Sequence, residues 1–477
     1  MQTEVKTHFR DPVAAEERDR DSILVDMTEP KRDWGFGFLT GHRITVCLLM
    51  GVGIAFLYIL QMWLWPEVSH PVDTVGTVWS WGSLLWLGAV IPGSLGLLGM
   101  LAYRHPRDLQ DQRPIRSLVS LRIVSRGTNV EALTATIRRC QQEMARTPLF
   151  PYLIEVVTDT RDIDLPPPNE DLCYILVPTG YQTPKGSQFK ARALHYALQA
   201  SEIPDDAWIV HLDEETQLTP SGIKGICKMI REEEESGRLR IGQGAILYHR
   251  RWKKNPILTL ADNVRTGDDF ARFHFQHRLG ITVFGLHGSY IVTRNDIEKS
   301  IGFDFGPVGS ITEDAFWALI AMERGYRARW VEGYLEEQST LSILDFVKQR
   351  RRWYQGLMKV SLFAPVKRRW KLCIATNTLL WTFAPFGALY TIGHFFWGFT
   401  PEGWIRFLAN YSYASFATLY LVGLRANLDE HGIWNLPQRV VWALAQIVLL
   451  PAFTLMEGAG VLSAILKPVQ GFHVINK

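Results

Sequence analysis

WIVHLDEET, residues 208–216, is the stretch of this 477-residue chain that decides its fold. It begins with large apolar residues typical of a buried strand, and the carboxylates Asp213, Glu214 and Glu215 end it. In α/β proteins, ligands bind at the edge where parallel strands end. Asp213 and Glu215 are two residues apart, so on an extended segment they point the same way and can share a hard cation. From this stretch alone, a solvated acidic turn is an equally good interpretation.

Long uncharged segments lie on both sides of a more polar middle. Hydrophobic residues make up 47% of the chain, and a run of about 20 of them can cross the hydrocarbon core of a membrane. We expect two transmembrane helices within residues 44–103 and about three transmembrane or re-entrant helices within 372–477. Residues 1–43 are expected to form a disordered tail, 104–340 a water-soluble domain and 341–371 an amphipathic interfacial segment.

Basic residues predict which side of the membrane the soluble domain occupies. Lys and Arg in short segments beside a span favour the cytoplasm. Arg43 precedes the first predicted span, Arg104 follows the second and Lys371 precedes the third, whereas residues 66–73 between the first two spans contain no Lys or Arg. We therefore expect a multi-pass integral membrane protein whose soluble domain faces the cytosol.

Charge and cysteine content argue against two classes of protein. A net charge of only +3 gives no electrostatic basis for binding nucleic acid. The five cysteines have no paired spacing, so neither a disulfide framework nor a zinc site is expected. A reduced cytosolic domain fits both observations.

Strands and helices alternate through the soluble middle. The sequence predicts strands at 118–124, 152–158, 174–177, 208–212, 241–248 and 284–292, and helices at 130–144 and 189–200. This alternation predicts an α/β fold with a mostly parallel sheet flanked by helices and a ligand site along one sheet edge. Because many chemistries share that architecture, the fold alone does not name the reaction.

Several residues stand where the predicted elements would deliver them to that edge. Arg126 and Asp159 follow the first two strands, and Lys190 opens the helix before the acidic strand. Each is either a ligand contact or an ordinary solvated residue. Gly288 and Ser289 are candidate neighbours of a substrate on a later strand.

Two further motifs lie beyond the acidic strand. ITEDAFW, residues 311–317, supplies a second acid pair, Glu313 and Asp314, although acids in a first helical turn also complement the helix dipole. KQRRRWYQG, residues 348–356, follows an apolar stretch with helical spacing and precedes a predicted span. It is also compatible with a basic interfacial helix. His287 is either a ligand contact or a structural residue.

Together and in this order, these motifs resemble those of the membrane-embedded inverting glycosyltransferases of family 2. That family combines an aspartate after an early strand, an Asp-x-Asp-like metal motif, a Thr-Glu-Asp catalytic acid and Gln-x-x-Arg-Trp before a membrane segment. The corresponding residues here are Asp159, Asp213–Glu215, Thr312–Asp314 and Gln349–Trp353. Glu215 stands where many members have Asp, and it keeps an oxygen ligand.

A narrower resemblance is to the Egghead-type β-1,4-mannosyltransferases, which use GDP-mannose to extend glucosylceramide. It rests on WIVHLDEET, IEVVTD at Ile154, FKARALHYAL at Phe189, GSYIVT at Gly288 and LDFVKQRRRWYQG at Leu344. The resemblance implies a GT-A-like catalytic domain that transfers mannose from GDP-mannose to a lipid or glycolipid acceptor. It also implies location in the endoplasmic reticulum or Golgi.

The resemblance assigns a role to each motif. Asp213 and Glu215 would hold Mn²⁺ or Mg²⁺, while Glu214 between them is expected to point away. Asp314, with Glu313 beside it, would be the general base for an inverting displacement. The other implied roles are donor binding by Arg126, Asp159, Lys190 and Asp213, diphosphate or acceptor contact by Gln349, Arg351, Arg352 and Trp353, and acceptor contact by Gly288 and Ser289.

Two other functions remain open. A processive synthase of a β-linked mannan, glucan, chitin or hyaluronan would use the same motifs and pass its product through the spans. A non-enzymatic transporter or scaffold would only bind a nucleotide. Against it, the predicted spans contain only the isolated charges Arg406 and Glu457, whereas the acids cluster in the soluble middle.

Overall fold

The computed structural model describes residues 42–64, 87–103, 112–162, 164–248, 255–393 and 403–467, together with positions 74, 82 and 109. Apart from His42 and Arg43, the predicted tail lies outside these residues. So do the loop predicted to follow the first span and the segment 468–477.

The described residues form one seven-stranded sheet and a series of helices. The strands are β1 (Val119–Ser125), β2 (Tyr152–Thr158), β3 (Leu172–Leu176), β4 (Trp208–Asp213), β5 (Ile241–Leu247), β6 (Ile291–Arg294) and β7 (Ala328–Glu336). The helices are α1 (His42–Leu64), α2 (Val90–Ala102), α3 (Val130–Arg146), α4 (Phe189–Ala200), α5 (Pro220–Ser236), α6 (Pro256–Asp268), α7 (His274–Arg278), α8 (Asn295–Ile301), α9 (Glu313–Glu323), α10 (Ile343–Phe363), α11 (Arg368–Thr382), α12 (Ala384–Gly393), α13 (Gly403–Glu430) and α14 (Leu436–Leu466). A π-helical turn, Asp269–Phe273, joins α6 to α7.

The sheet has the order β3-β2-β1-β4-β6-β5-β7. Its first four strands are parallel, β6 is antiparallel to both of its neighbours, and β5 is parallel to β7. Val124 of β1 pairs with Asp213 of β4, and Ser125 of β1 pairs with Thr158 of β2. The carboxyl ends of three strands therefore lie side by side, and the predicted GT-A-like α/β fold is confirmed.

Strand β4 lies in the middle of the sheet, and its composition follows from that position. Residues 208–212 are all buried, because helices cover both faces of a mostly parallel sheet. Leu133 of α3 and Ile226 of α5 pack with Val210 in the main hydrophobic core. The apolar run ends at Asp213, which is half-buried at the sheet edge.

A buried cluster of charged side chains links β4 to its neighbouring elements. The guanidinium of Arg122 on β1 contacts Glu155 at 2.7 Å and Glu298 at 2.6 Å, and His211 Nε2 lies 2.5 Å from the other carboxylate oxygen of Glu298. All four side chains are buried, and breaking one pair would leave an uncompensated charge. The cluster therefore ties β1, β2 and β4 to α8 directly behind the sheet edge.

One predicted strand is too long. The sequence predicts a strand over residues 284–292, but β6 begins only at Ile291. Gly285 has a φ of +87° and Tyr290 a φ of +59°, and neither angle is compatible with an extended strand. Residues 285–290 therefore form a bent segment, which lines a cavity.

Two helices within the described residues are long and apolar enough to cross a membrane, α1 and α14. The second predicted span coincides in part with α2, the third with α11 and α12, which Phe383 separates, and the fourth with α13. Helix α13 packs against α1, α2 and α6. The apolar helices thus pack on the sheet domain, and the crossing of about five spans stays a prediction.

Candidate active site

A cavity of about 980 Å³ lies beyond the carboxyl ends of β1 and β4. All the site residues predicted from the sequence line it except Arg351, which lies on α10 with the rest of its motif. Residues separated by more than 200 positions in the chain are thus brought together, from Arg126 to Trp353. The roles predicted for them stay predictions.

Lys190 is at the centre of the charged part of the cavity. Its ammonium group forms an ion pair with Asp213, donates to the carbonyl oxygen of Gly288 at 2.7 Å and lies 3.8 Å from Glu313 Oε1. Burial lowers the pKa of Lys190, but the attraction of Asp213 and Glu313 outweighs it and the pKa lies above its ordinary value. Lys190 is therefore a fixed cation at neutral pH.

Glu313 and Asp314 form the first turn of α9 and face the same centre. Asp314 Oδ1 accepts a hydrogen bond from the backbone nitrogen of Ala315 at 2.7 Å. Burial raises the pKa of both carboxyls, and Lys190 opposes that increase in each. A carboxylate with a raised pKa is a stronger base than an ordinary one, which suits proton abstraction.

Gly288 occupies the point where these groups converge. A Cβ at this position would lie 3.2 Å from Lys190 Nζ, 3.4 Å from Asp314 Oδ2 and 3.6 Å from Asp213 Oδ2. The absence of a side chain therefore leaves room between the cation and the two acids.

The acidic triplet divides into two groups. Asp213, Glu214 and Glu215 all line the cavity, but only the side chain of Glu214 accepts from Ser125 Oγ, at 2.6 Å, and its carbonyl oxygen accepts from Thr136 at 2.7 Å. The described residues contain no group of three or more His, Cys, Asp or Glu side chains able to hold a metal. Asp213 and Glu215 nevertheless supply carboxylate oxygens, the ligand type that Mg²⁺ and Mn²⁺ prefer, and would be the residues to hold such an ion.

Asp159 is held at the end of β2 by an arginine that the sequence analysis did not single out. Arg192 of α4 forms an ion pair with Asp159 and donates to the carbonyl oxygen of Pro178 at 3.2 Å. Helix α4 begins at Phe189, whose φ of +53° is in the left-handed region. This turn delivers Lys190 and Arg192 to the same edge of the sheet.

Helix α10 brings the QRRRW motif against the charged centre. It begins after Ser342, whose Oγ accepts from the backbone nitrogen of Asp345 at 3.1 Å. Burial lowers the pKa of Arg352, while Glu313 and Asp213 oppose that decrease. The guanidinium of Arg352 is thus partly desolvated and lies near the acids that surround Lys190.

Arg350 anchors this motif. It lies 2.5 Å from Glu457 of α14 and 3.0 Å from Asp262 of α6, and its guanidinium also lies 4.5 Å from the centre of the Trp353 ring. The sequence analysis included Arg350 in the motif but predicted no role for it. Its partners are distant in the chain, so sequence spacing gave no signal of them.

The cavity continues from the charged centre to the apolar helices. Its lining includes Gly93 of α2, Trp381 of α11, Phe386 of α12 and Phe416 of α13. A ligand with a polar head and a hydrocarbon tail would match both ends of this space. The charged and apolar parts belong to one continuous volume.

Comparison with known proteins gives a family match and similar relatives. The family model described as glycosyl transferase family group 2 matches residues 208–455. The β-1,4-mannosyltransferase bre-3 of Caenorhabditis briggsae is 30% identical over 450 residues, which cover 91% of this chain and 98% of the relative. The β-1,4-mannosyltransferase egh of Drosophila melanogaster is 29% identical over 423 residues, which cover 87% of this chain and 90% of that relative.

A solved structure shows a more distant likeness. The mannosyltransferase PcManGT from Pyrobaculum calidifontis, in complex with GDP-Man and Mn²⁺, is 12% identical with a TM-score of 0.42, covering 88% of this chain and 99% of that one. The family match extends from β4 through the second acid pair and the QRRRW helix to α14. This protein is therefore a glycosyltransferase, and the chain belongs to glycosyl transferase family group 2.

Proposed function

We propose that this protein transfers mannose from GDP-mannose to a lipid-linked acceptor such as glucosylceramide, forming a β-1,4 linkage with inversion. The observation that carries the proposal is the convergence of Lys190, Asp213 and Asp314 on Gly288, in a cavity that continues between apolar helices. The resemblance to Egghead-type enzymes supports the donor and the linkage. The names of the two animal relatives agree with both the sugar and the linkage.

On the donor side, the leaving group is a nucleoside diphosphate on which negative charge increases. Lys190 and Arg352 are half-buried cations beside the acidic strand end, and such fixed charges stabilise developing negative charge well in a site that excludes water. Arg126 and Asp159 would bind the nucleotide portion. A Mn²⁺ or Mg²⁺ ion held by Asp213 and Glu215 would supply further positive charge at the diphosphate.

On the acceptor side, Asp314 removes the proton of the attacking hydroxyl. Its raised pKa makes it a better base than an exposed aspartate, and its ionised form is favoured by Lys190. The hydroxyl oxygen bonds to the anomeric carbon on the face opposite the diphosphate, the bond to the diphosphate breaks, and the proton stays on Asp314. A single displacement inverts the configuration, so an α-linked donor gives a β-glycoside.

The membrane arrangement is part of the proposal. A catalytic domain at residues 104–340 faces the cytosol, the segment 341–371 lies at the interface, and spans within 44–103 and 372–477 cross the bilayer of the endoplasmic reticulum or Golgi. The apolar lining at Trp381, Phe386 and Phe416 supports a lipid acceptor that enters from the side of the membrane.

The test is a transfer assay with purified full-length protein. GDP-mannose and other radiolabelled nucleotide sugars would be offered with glucosylceramide, and lipid-extractable and polymeric products counted separately. We expect one mannose per lipid, removed by a β-mannosidase and not by an α-mannosidase. A polymer would support the processive synthase instead, and transfer from another nucleotide sugar alone would refute the donor assignment.

A further inference from the structure

A second polar cluster lines the same cavity beside the charged centre. We call it the Arg265 cluster; it consists of Arg265, His287, Ser289 and Glu337. Ser289 Oγ donates to Glu337 Oε1 at 2.6 Å, and Arg265 Nη2 lies 3.6 Å from the other oxygen of Glu337. His287 and Ser289 flank Gly288, so the cluster directly adjoins the point where Lys190 and Asp314 meet.

The cluster has a fixed geometry. The guanidinium of Arg265 lies 4.1 Å from the centre of the Tyr248 ring and 4.7 Å from that of Trp353. The His287 ring contacts Phe273, with ring centres 4.2 Å apart, and its Nε2 lies 3.3 Å from Asp269 Oδ1. Side chains held in this way are already oriented before a ligand binds.

Two buried atoms of the cluster have unused hydrogen-bonding capacity. Arg265 Nη1 and His287 Nδ1 have no hydrogen-bond partner among the residues that the structure describes. Both side chains line the cavity. Because a buried polar group without a partner costs free energy, a ligand that pairs with both atoms would be favoured.

The charges of the cluster indicate what kind of group would bind. Arg265 is balanced by Glu337, and burial together with the nearby Arg265 lowers the pKa of His287 to about 3, so that its ring is neutral. The next cation, Arg272, is engaged by Asp268. The cluster therefore has no excess positive charge with which to bind a phosphate.

A hydroxyl group matches these partners better. It donates to a carboxylate, accepts from a guanidinium, and pairs with imidazole Nδ1 in either tautomer because it is both donor and acceptor. We infer that the Arg265 cluster is a binding subsite for the uncharged, hydroxyl-bearing head group of the acceptor, in which Arg265 and His287 determine the preference for a sugar over a lipid phosphate. This inference rests on the proposed function, because it concerns the acceptor of that reaction.

The experiment compares Arg265→Lys and His287→Phe with wild type, in purified full-length protein. Arg265→Lys keeps the positive charge but lacks the planar guanidinium. His287→Phe keeps an aromatic ring against Phe273 but lacks both ring nitrogens. We expect each variant to raise the KM for glucosylceramide about fivefold to tenfold, because each loses one hydrogen bond to the acceptor. The affinity for GDP with Mn²⁺ should be unchanged. Arg272→Gln is the matched control, because its guanidinium is engaged by Asp268, and its acceptor KM should stay at the wild-type value.

Three results would overturn the inference. They are an unchanged acceptor KM in both variants, an equal loss of GDP affinity, or a wild-type preference for dolichyl phosphate over glucosylceramide. Binding of a short-chain glucosylceramide in the same detergent provides a readout that does not depend on turnover. If wild type binds this lipid more tightly than the variants but transfers no mannose, the proposed function fails while the subsite stands.

Discussion

Arg350 Nε lies 2.5 Å from Glu457 Oε1, and this ion pair joins the helix of the QRRRW motif to the apolar helix α14. Asp262 contacts the same guanidinium at 3.0 Å from a third helix. The QRRRW motif is therefore linked by an ion pair to α14, a helix long and apolar enough to cross a membrane. The same guanidinium contacts the ring of Trp353 in the motif.

We expect Glu457→Ala to destabilise the protein by about 1.5–3 kcal/mol, because it removes one charged hydrogen bond from buried Arg350, which keeps Asp262 as a partner. Glu457→Gln should be milder, since its amide oxygen still accepts from Arg350. Thermal unfolding of the purified protein measures the difference between them. Equal stability of Glu457→Ala and wild type would show that the ion pair does not hold α10 to α14.

Asp314→Asn should lower kcat by about 100-fold to 10,000-fold, because it removes the proposed base while keeping the shape of the side chain. Binding of GDP with Mn²⁺, measured by titration calorimetry, should be close to that of wild type. Asp171→Asn, at a half-buried position away from the cavity, is the control and should retain full activity. Near-normal turnover of Asp314→Asn would refute the assignment.

The raised pKa of Asp314 predicts the acid limb of the pH profile. The base is active only when it is ionised, so kcat/KM should fall as the pH is lowered through that pKa. Because burial raises the pKa of this carboxyl, the fall should occur at higher pH than for an ordinary aspartate with a pKa of about 3.9. A limb centred in the ordinary aspartate range would contradict a base whose pKa is raised by its surroundings.

Removal of divalent cations should stop transfer. We expect EDTA to abolish activity and Mn²⁺ or Mg²⁺ to restore it, because Asp213 and Glu215 supply the oxygen ligands that these ions prefer. Glu215→Gln should need a higher metal concentration for half-maximal activity. Glu214→Gln is the matched control, since that carboxylate accepts a hydrogen bond from Ser125 Oγ. Full activity in EDTA would rule out the proposed metal role.

Gly288→Ala should reduce turnover with little effect on folding. Its Cβ would lie 3.2 Å from Lys190 Nζ, which would have to move slightly, and 3.4 Å from Asp314 Oδ2, at the limit of ordinary contact. We expect a loss of about tenfold to 100-fold in kcat, as small displacements at a reacting centre produce. Gly180→Ala is the control, because a Cβ there meets nothing within 4 Å. A large fall in the melting temperature of Gly288→Ala would instead indicate a structural role.

Local sequence patterns predicted much of the fold, and long-range contacts account for what they missed. Apolar strands that end in polar residues are visible in the sequence, as at Trp208–Asp213. The order of the motifs along the chain is visible there too. The bend at Gly285 and Tyr290 was missed, because apolar composition alone does not reveal a positive φ. The pairings of Ser289 with Glu337 and Arg350 with Glu457 join residues that only the folded chain brings together.

The left-handed backbone of Phe189 has a consequence for how this enzyme would respond to selection. A non-glycine residue in that conformation costs about 1–3 kcal/mol, and Phe189 directly precedes Lys190. A screen for heat-resistant variants should therefore recover Phe189→Gly or Phe189→Asn, which adopt the conformation more easily. The same variants would give Lys190 more freedom to leave its position. Thermal tolerance and turnover would then evolve in opposite directions at this residue.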